Sequence, residues 1–121
     1  MTKTVIVREQ FYIKHSWSDC HIESVQFLKN AHVHKMFITV EVAVEHGNRA
    51  VEFFVLRSNI IDAFTLSGSV DIVQHHIYQI GGKSMEMIAQ MLFNDLQSLG
   101  YKVVSVECSE DGFFSGKVYQ Q

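Results

Sequence analysis

The chain has 121 residues and a formal net charge of −3, with 47% hydrophobic, 19% charged and 12% aromatic residues. That length suits one domain with a proper core, expected over residues 1–121, and is too short for two. The acidic balance offers no field for a phosphate backbone and no apolar run reaches membrane-spanning length, so neither nucleic acid nor membrane is an expected partner.

The first ten residues, MTKTVIVREQ, lack the apolar core of a signal peptide, and Cys20 and Cys108 read as reduced thiols. A cytoplasmic location is the expectation. Residues 3–14 open with β-branched side chains and carry aromatic ones, which predicts a first strand running into His15. The segment 16–30 has no clean period and reads as a loop with room for a short local element. Residues 31–46, AHVHKMFITVEVAVEH, are the clearest stretch. At period two, His32, His34, Met36, Ile38, Val40, Val42 and Val44 share one face of a long strand. Residues 46–49, His-Gly-Asn-Arg, end it, and residues 50–57 are expected to return as an antiparallel strand. Leu56, Ile60, Ile61 and Phe64 then recur at helical spacing up to Leu66, with Ser67-Gly68-Ser69 as the stop. Residues 70–80 fit either a short strand or a helical turn. Ser84 caps a second helix, Glu86 sits in its first turn, and Gly100 follows its end; Met85, Ile88, Leu92, Leu96 and Leu99 form its stripe. Strands over 102–108 and 113–119 close the chain around a hairpin turn at residues 109–112. Strands, two helices and strands again predict an α+β fold, helices on one face of an antiparallel sheet.

Seven histidines are many for this length, and four of them fall between residues 15 and 34. His32 and His34 leave one strand on the same side, and His15, ending the neighbouring strand, is the natural third ligand. Three neutral imidazoles suit zinc best without excluding iron or copper. The alternative is a pair of surface or packing histidines; His21 and Cys20, spare ligands in the same loop, favour the metal. Gln74-His75-His76 offers a general acid or base near working pH, unless it is an exposed connection. Glu107 lies in an otherwise apolar strand, where a buried carboxylate needs partners. A planar ligand presenting two N–H donors would serve, such as the edge of a guanine or pterin; a solvent-facing strand end is the bland reading. Residues 81–84, Gly-Gly-Lys-Ser, are no phosphate loop, because Ile77 stands where the first glycine is required.

In this order the motifs resemble the 6-pyruvoyltetrahydropterin and 6-carboxytetrahydropterin synthase family over nearly the whole chain. Phe11 to His15 resembles the family's Phe-x-x-x-His, and His32-Val33-His34 its His-Gly-His. Residues 52–56 resemble Asp-Phe-x-x-Leu, Gln74-His75-His76 resembles Asp-His-His, residues 83–86 resemble Pro-Thr-x-Glu, and Glu107-Cys108 resembles Glu-Thr. The resemblance implies the tunnelling fold, a four-stranded antiparallel sheet with two helices on one face, assembled by sheet edges into a hexamer-type ring with active sites between subunits. It implies zinc on His15, His32 and His34, with a pterin- or purine-like substrate anchored by Glu107 beside Ser84 and Glu86. The departures are specific. Leu28 stands at the nearest register to the family's catalytic cysteine, Gln74 replaces the aspartate, and His75 is left with Cys20 or Glu23 as proton partner. Two functions follow: a zinc-dependent lyase of the pterin or 7-deazaguanine branch, or a metal-bearing relative that only binds such a ligand.

Overall fold

The structure is a computed structural model, and it describes residues 2–66, 71–74 and 77–121. Two long strands, β1 (Lys3–His15) and β2 (His32–Val44), pair antiparallel from Lys3 opposite Val44 to His15 opposite His32. Residues directly paired in a ladder share a face. One side therefore carries Val5, Val7, Glu9, Phe11, Ile13 and His15 against the row that runs from Val42 down to His32. Ile13, Met36, Ile38, Val40 and Val42 are completely buried there. Glu9 is the acid in that row, and Arg57 Nε donates to its carboxylate at 2.6 Å, which is why the position is tolerable. A short 3-10 segment, Glu23–Lys29, sits between the two strands, where sequence left room for a local element.

The rest of the chain is α1 (Phe53–Leu66), β3 (Asp71–Gln74), β4 (Ile77–Gly81), α2 (Met85–Ser98), β5 (Lys102–Glu110) and β6 (Phe114–Tyr119). Strand order is β3-β4-β1-β2-β5-β6, and β4 runs parallel to β1 while the other pairings are antiparallel. The α+β class holds, and β1, β2, β5 and β6 supply the four antiparallel strands. The sheet as a whole is larger and mixed, because residues 71–74 and 77–81, ambiguous in sequence, form two short strands, the second paired to β1 and the first to the second. Leu56, Ile60 and Phe64 of α1 and Ile88, Leu92 and Leu96 of α2 are buried with the inner rows of the sheet in one core. Each such side chain contributes about 1.5–3 kcal/mol through burial.

Three expectations are corrected. Residues 50–57 are not a returning strand, since α1 begins at Phe53. The N–H of Val55 donates to the Glu52 carboxylate at 2.8 Å and that of Leu56 to the Glu52 carbonyl at 3.0 Å. A capped start overrides the strand preference of Phe53, Phe54 and Val55, which stay exposed. Leu99 does not join the stripe of α2; it caps the helix at its C-terminal end and is 60% exposed. The hairpin turn also comes later than expected: β5 continues through Glu110, and Asp111 and Gly112 make the reversal at positive φ of 55° and 79°. At the N-terminus of α2 the expectation stands, with Ser84 Oγ accepting from Met87 N–H at 3.2 Å. Gly116 of β6 lies against that first turn; a Cβ there would be 2.6 Å from the Glu86 nitrogen.

Candidate metal centre

His15, His32 and His34 meet at the end of the buried rows, on the face that carries the helices. Period two explains why. His15 and His34 each continue a row of core side chains one step past its last apolar member, and His32 lies one step further along the β2 row. One ligand atom from each lies within 4.8 Å of the others. The rings stand edge to face, with centroids 4.5, 4.8 and 5.1 Å apart and interplanar angles of 69°, 89° and 89°.

Two of the rings are held from behind. His32 Nδ1–H donates to the Asn30 carbonyl at 2.7 Å, and His34 Nδ1–H to Asp111 Oδ2 at 2.5 Å. His15 Nε2 is buried without a hydrogen-bond partner. A ring that donates through Nδ1 keeps a bare lone pair on Nε2, the second-shell arrangement of metal-bound imidazoles. Burial pushes the His15 pKa below its ordinary value; the charges of His32 and His34 add to that, and Glu110 opposes it. A neutral imidazole is the form that binds a metal.

Asp111 ties the hairpin to this corner. Its Oδ1 accepts from Lys35 N–H at 2.9 Å, and its own N–H donates to the Lys35 carbonyl at 2.7 Å. The Lys35 N–H, and then the bond from His34, hold the Asp111 carboxyl below the usual carboxylate range. Next to it, Glu110 places Oε1 3.5 Å from His15 Nε2 and Oε2 3.7 Å from His34 Nε2. Sequence reasoning missed both acids by assigning them to the turn. The signal for Glu110 was present, since Val104, Val106, Cys108 and Glu110 continue one alternation. No sequence signal could have shown that the Asp111 side chain folds back onto β2.

The donor set fits zinc. It holds three imidazole nitrogens, two of them on rings anchored through the second nitrogen, and the third is a buried atom otherwise without a partner. Beside it lies a cleft of about 520 Å³ whose walls include His15, His32, Trp17, Leu28, Ser84 and Glu86. That volume is within the range of small-molecule pockets. Ser84 and Glu86 are thus brought to the histidines. Cys20 is not: its buried thiol donates to the carbonyls of Val25 and Ile22 at 3.6 and 3.8 Å, within its own loop. Glu23 is exposed and does not line the cleft, whereas Leu28 does. Glu107 pairs with Thr39 and Lys117, so within one chain it faces away from the histidines. His75 and His76 lie outside the described residues.

Neither a family model nor a curated relative matches the sequence. Solved structures do. The chain superposes over its full length on 6-pyruvoyl tetrahydropterin synthase from Caenorhabditis elegans, covering 97% of that chain with a TM-score of 0.67 at 13% identity. The fold is that of the tetrahydropterin synthases. The Plasmodium falciparum synthase is similar over 98% of both chains, with a TM-score of 0.57 and 15% identity. An uncharacterized protein from Wolinella succinogenes gives 0.65 at 13% identity, with all of this chain and 99% of that one covered. At such identities the shared property is the tetrahydropterin-synthase fold.

Proposed function

We propose that the chain is a zinc-dependent, tetrahydropterin-synthase-like lyase acting on a pterin- or purine-like substrate of the dihydroneopterin-triphosphate kind. The observation that carries this reading is the convergence of His15, His32 and His34, the last two anchored through their second nitrogens, on the edge of a ligand-sized cleft. Zinc held there would polarise side-chain oxygens of the substrate. The chain's own residues would do the rest. Ser84 and Glu86, at the start of α2, would position the ligand. Glu107, facing away from its own chain's histidines, would anchor the ring edge of a ligand in a site completed by a second copy, which makes the working form a homo-oligomeric ring. His75 would exchange protons with the substrate, with Cys20 or Glu23 as partner once the loop between β1 and β2 rearranges. A cytoplasmic location is part of this proposal; among the described residues no helix is long and apolar enough to cross a membrane.

One observation favours a second reading. Leu28 lines the cleft while the Cys20 thiol is bonded inside its own loop. A relative that binds a pterin- or purine-like ligand without turning it over would keep the histidines and lose the nucleophile.

Metal content per chain on untagged protein, with His32→Ala alongside, tests the shared premise. Close to one zinc, lost in the variant, is expected; a metal-free protein purified without chelators would overturn both readings. Turnover of dihydroneopterin triphosphate then separates them. Loss of turnover in separate Cys20, Glu23 and His75 variants favours the enzyme, and binding without turnover favours the second reading. Glu107→Ala should abolish ligand binding and leave zinc in place.

A further inference from the structure

We infer that Glu110 is a fourth protein ligand of the metal, so that the resting site is closed by the chain itself. This rests on the three-histidine reading above and adds to it a residue that the family resemblance does not supply. Four ligands at about 2.0–2.1 Å from a tetrahedral ion stand about 3.3–3.4 Å from one another. Glu110 Oε1 is 3.5 Å from His15 Nε2 and Oε2 is 3.7 Å from His34 Nε2. Those separations are too long for N–H···O hydrogen bonds, which run about 2.7–3.2 Å, and close to the edge of a coordination tetrahedron. They also involve the right atoms. The carboxylate faces Nε2 of His15 and of His34; His34 already spends its Nδ1 on Asp111, and His15 Nε2 is buried with no hydrogen bond of its own.

The backbone supports the assignment independently. Glu110 pairs with Met36 on β2, so its side chain leaves the sheet on the histidine face, one ladder step from His34. Asp111 then fixes the position of Glu110 by clamping the turn to Lys35 and His34 through three hydrogen bonds. A carboxylate delivered to that corner by a strand and a pinned turn is not a mobile surface acid; its side chain is 24% exposed.

The consequence concerns how the site is used. A substrate oxygen can reach the metal only by displacing the Glu110 carboxylate or by raising the coordination number to five. Glu110 also lines the cleft, so the displaced carboxylate would remain beside the ligand.

The test uses Co(II) as a visible stand-in for zinc and azide as a small anion that binds an open coordination position. The wild-type Co(II) spectrum should be unmoved by azide, while Glu110→Ala should respond to it. The zinc dissociation constant of Glu110→Ala, measured by chelator competition, should rise by more than the roughly 10–100-fold that loss of an outer-shell partner brings. Glu110→Gln, nearly isosteric, serves if the alanine variant does not fold. An azide-responsive wild type with unchanged zinc affinity in both variants would overturn the Glu110 assignment and leave the three-histidine site standing. A wild type that takes up neither metal would overturn the three-histidine site, and Glu110 with it.

Discussion

At one end of the β1–β2 ladder Lys3 faces Val44, and at the other His15 faces His32. The Lys3 end opens on the larger groove, about 640 Å³, lined by Lys3, His46, Asn48, Arg49 and Phe53 among others. The His15 end opens on the smaller cleft, about 520 Å³. Volume would choose the first; chemistry chooses the second. His46 is the histidine of its groove, and its Nδ1 accepts from the N–H of Asn48 at 3.2 Å, a bond that organises the turn. At the other end three rings converge, two of them held from behind, and a carboxylate stands against two of them. What marks a site is donors aimed at one point, supported by partners that leave them nothing else to bind.

The strongest way to break this comparison is to remove a converging donor. His15→Ala and His34→Ala should each lower bound zinc from near one per chain to near none, read by elemental analysis after gel filtration. Retention of zinc in both would mean that the metal lies elsewhere. Next in size is the support behind the ring. Asp111→Asn keeps a residue that tolerates positive φ but loses the charged acceptor of His34 Nδ1–H. Zinc affinity should fall by about 10–100-fold with the fold intact. A variant equal to wild type would show that Asp111 serves the turn alone.

Packing near the site can be tested apart from ligation. Gly116→Val forces a side chain into the first turn of α2, where even a Cβ would stand 2.6 Å from the Glu86 nitrogen. Overpacking of this kind costs about 1–3 kcal/mol, visible as a lowered Tm of the metal-free protein. Acidity should act in the same direction. Burial sets the His15 pKa below 6.5 in the folded chain, so on falling pH the unfolded chain takes up a proton before the folded one does. The stabilisation is therefore complete above pH 6.5 and is lost as pH falls through the folded value. Asp111, held below 3.8, extends the loss with the same sign into stronger acid. His15→Gln should flatten the dependence of Tm on pH between about 7 and 5; an unchanged slope would place its origin in another group.

How much of this was legible beforehand depended on which interaction set each element. The long strand and its histidine face followed from a period of two over residues 31–46, and α2 followed from Ser84, Glu86 and a buried stripe; these signals are local. The start of α1 was misread because Phe53, Phe54 and Val55 favour a strand, while the Glu52 cap that decides the matter is a single side chain. The strands at 71–74 and 77–81 were ambiguous because β4, on which β3 pairs, is itself held to β1 across more than 60 residues of chain. Glu110 and Asp111 were missed for the same reason: their partners are His15, His34 and Lys35, on strands far away in sequence. Local periodicity located the histidines, and only tertiary pairing revealed what stands behind and beside them.

The smallest expected effect is the control at the far end of the ladder. His46→Ala removes an acceptor for one turn N–H and touches no converging donor, so zinc content and affinity should match wild type. Stability should drop by no more than about 0.5–1.5 kcal/mol, the net value of one ordinary hydrogen bond. If His46→Ala instead lowered zinc content as His34→Ala does, the larger groove would hold a metal that its single histidine cannot explain. The two ends of the ladder would then have to be joined, for instance by a second copy of the chain that brings one end against the other.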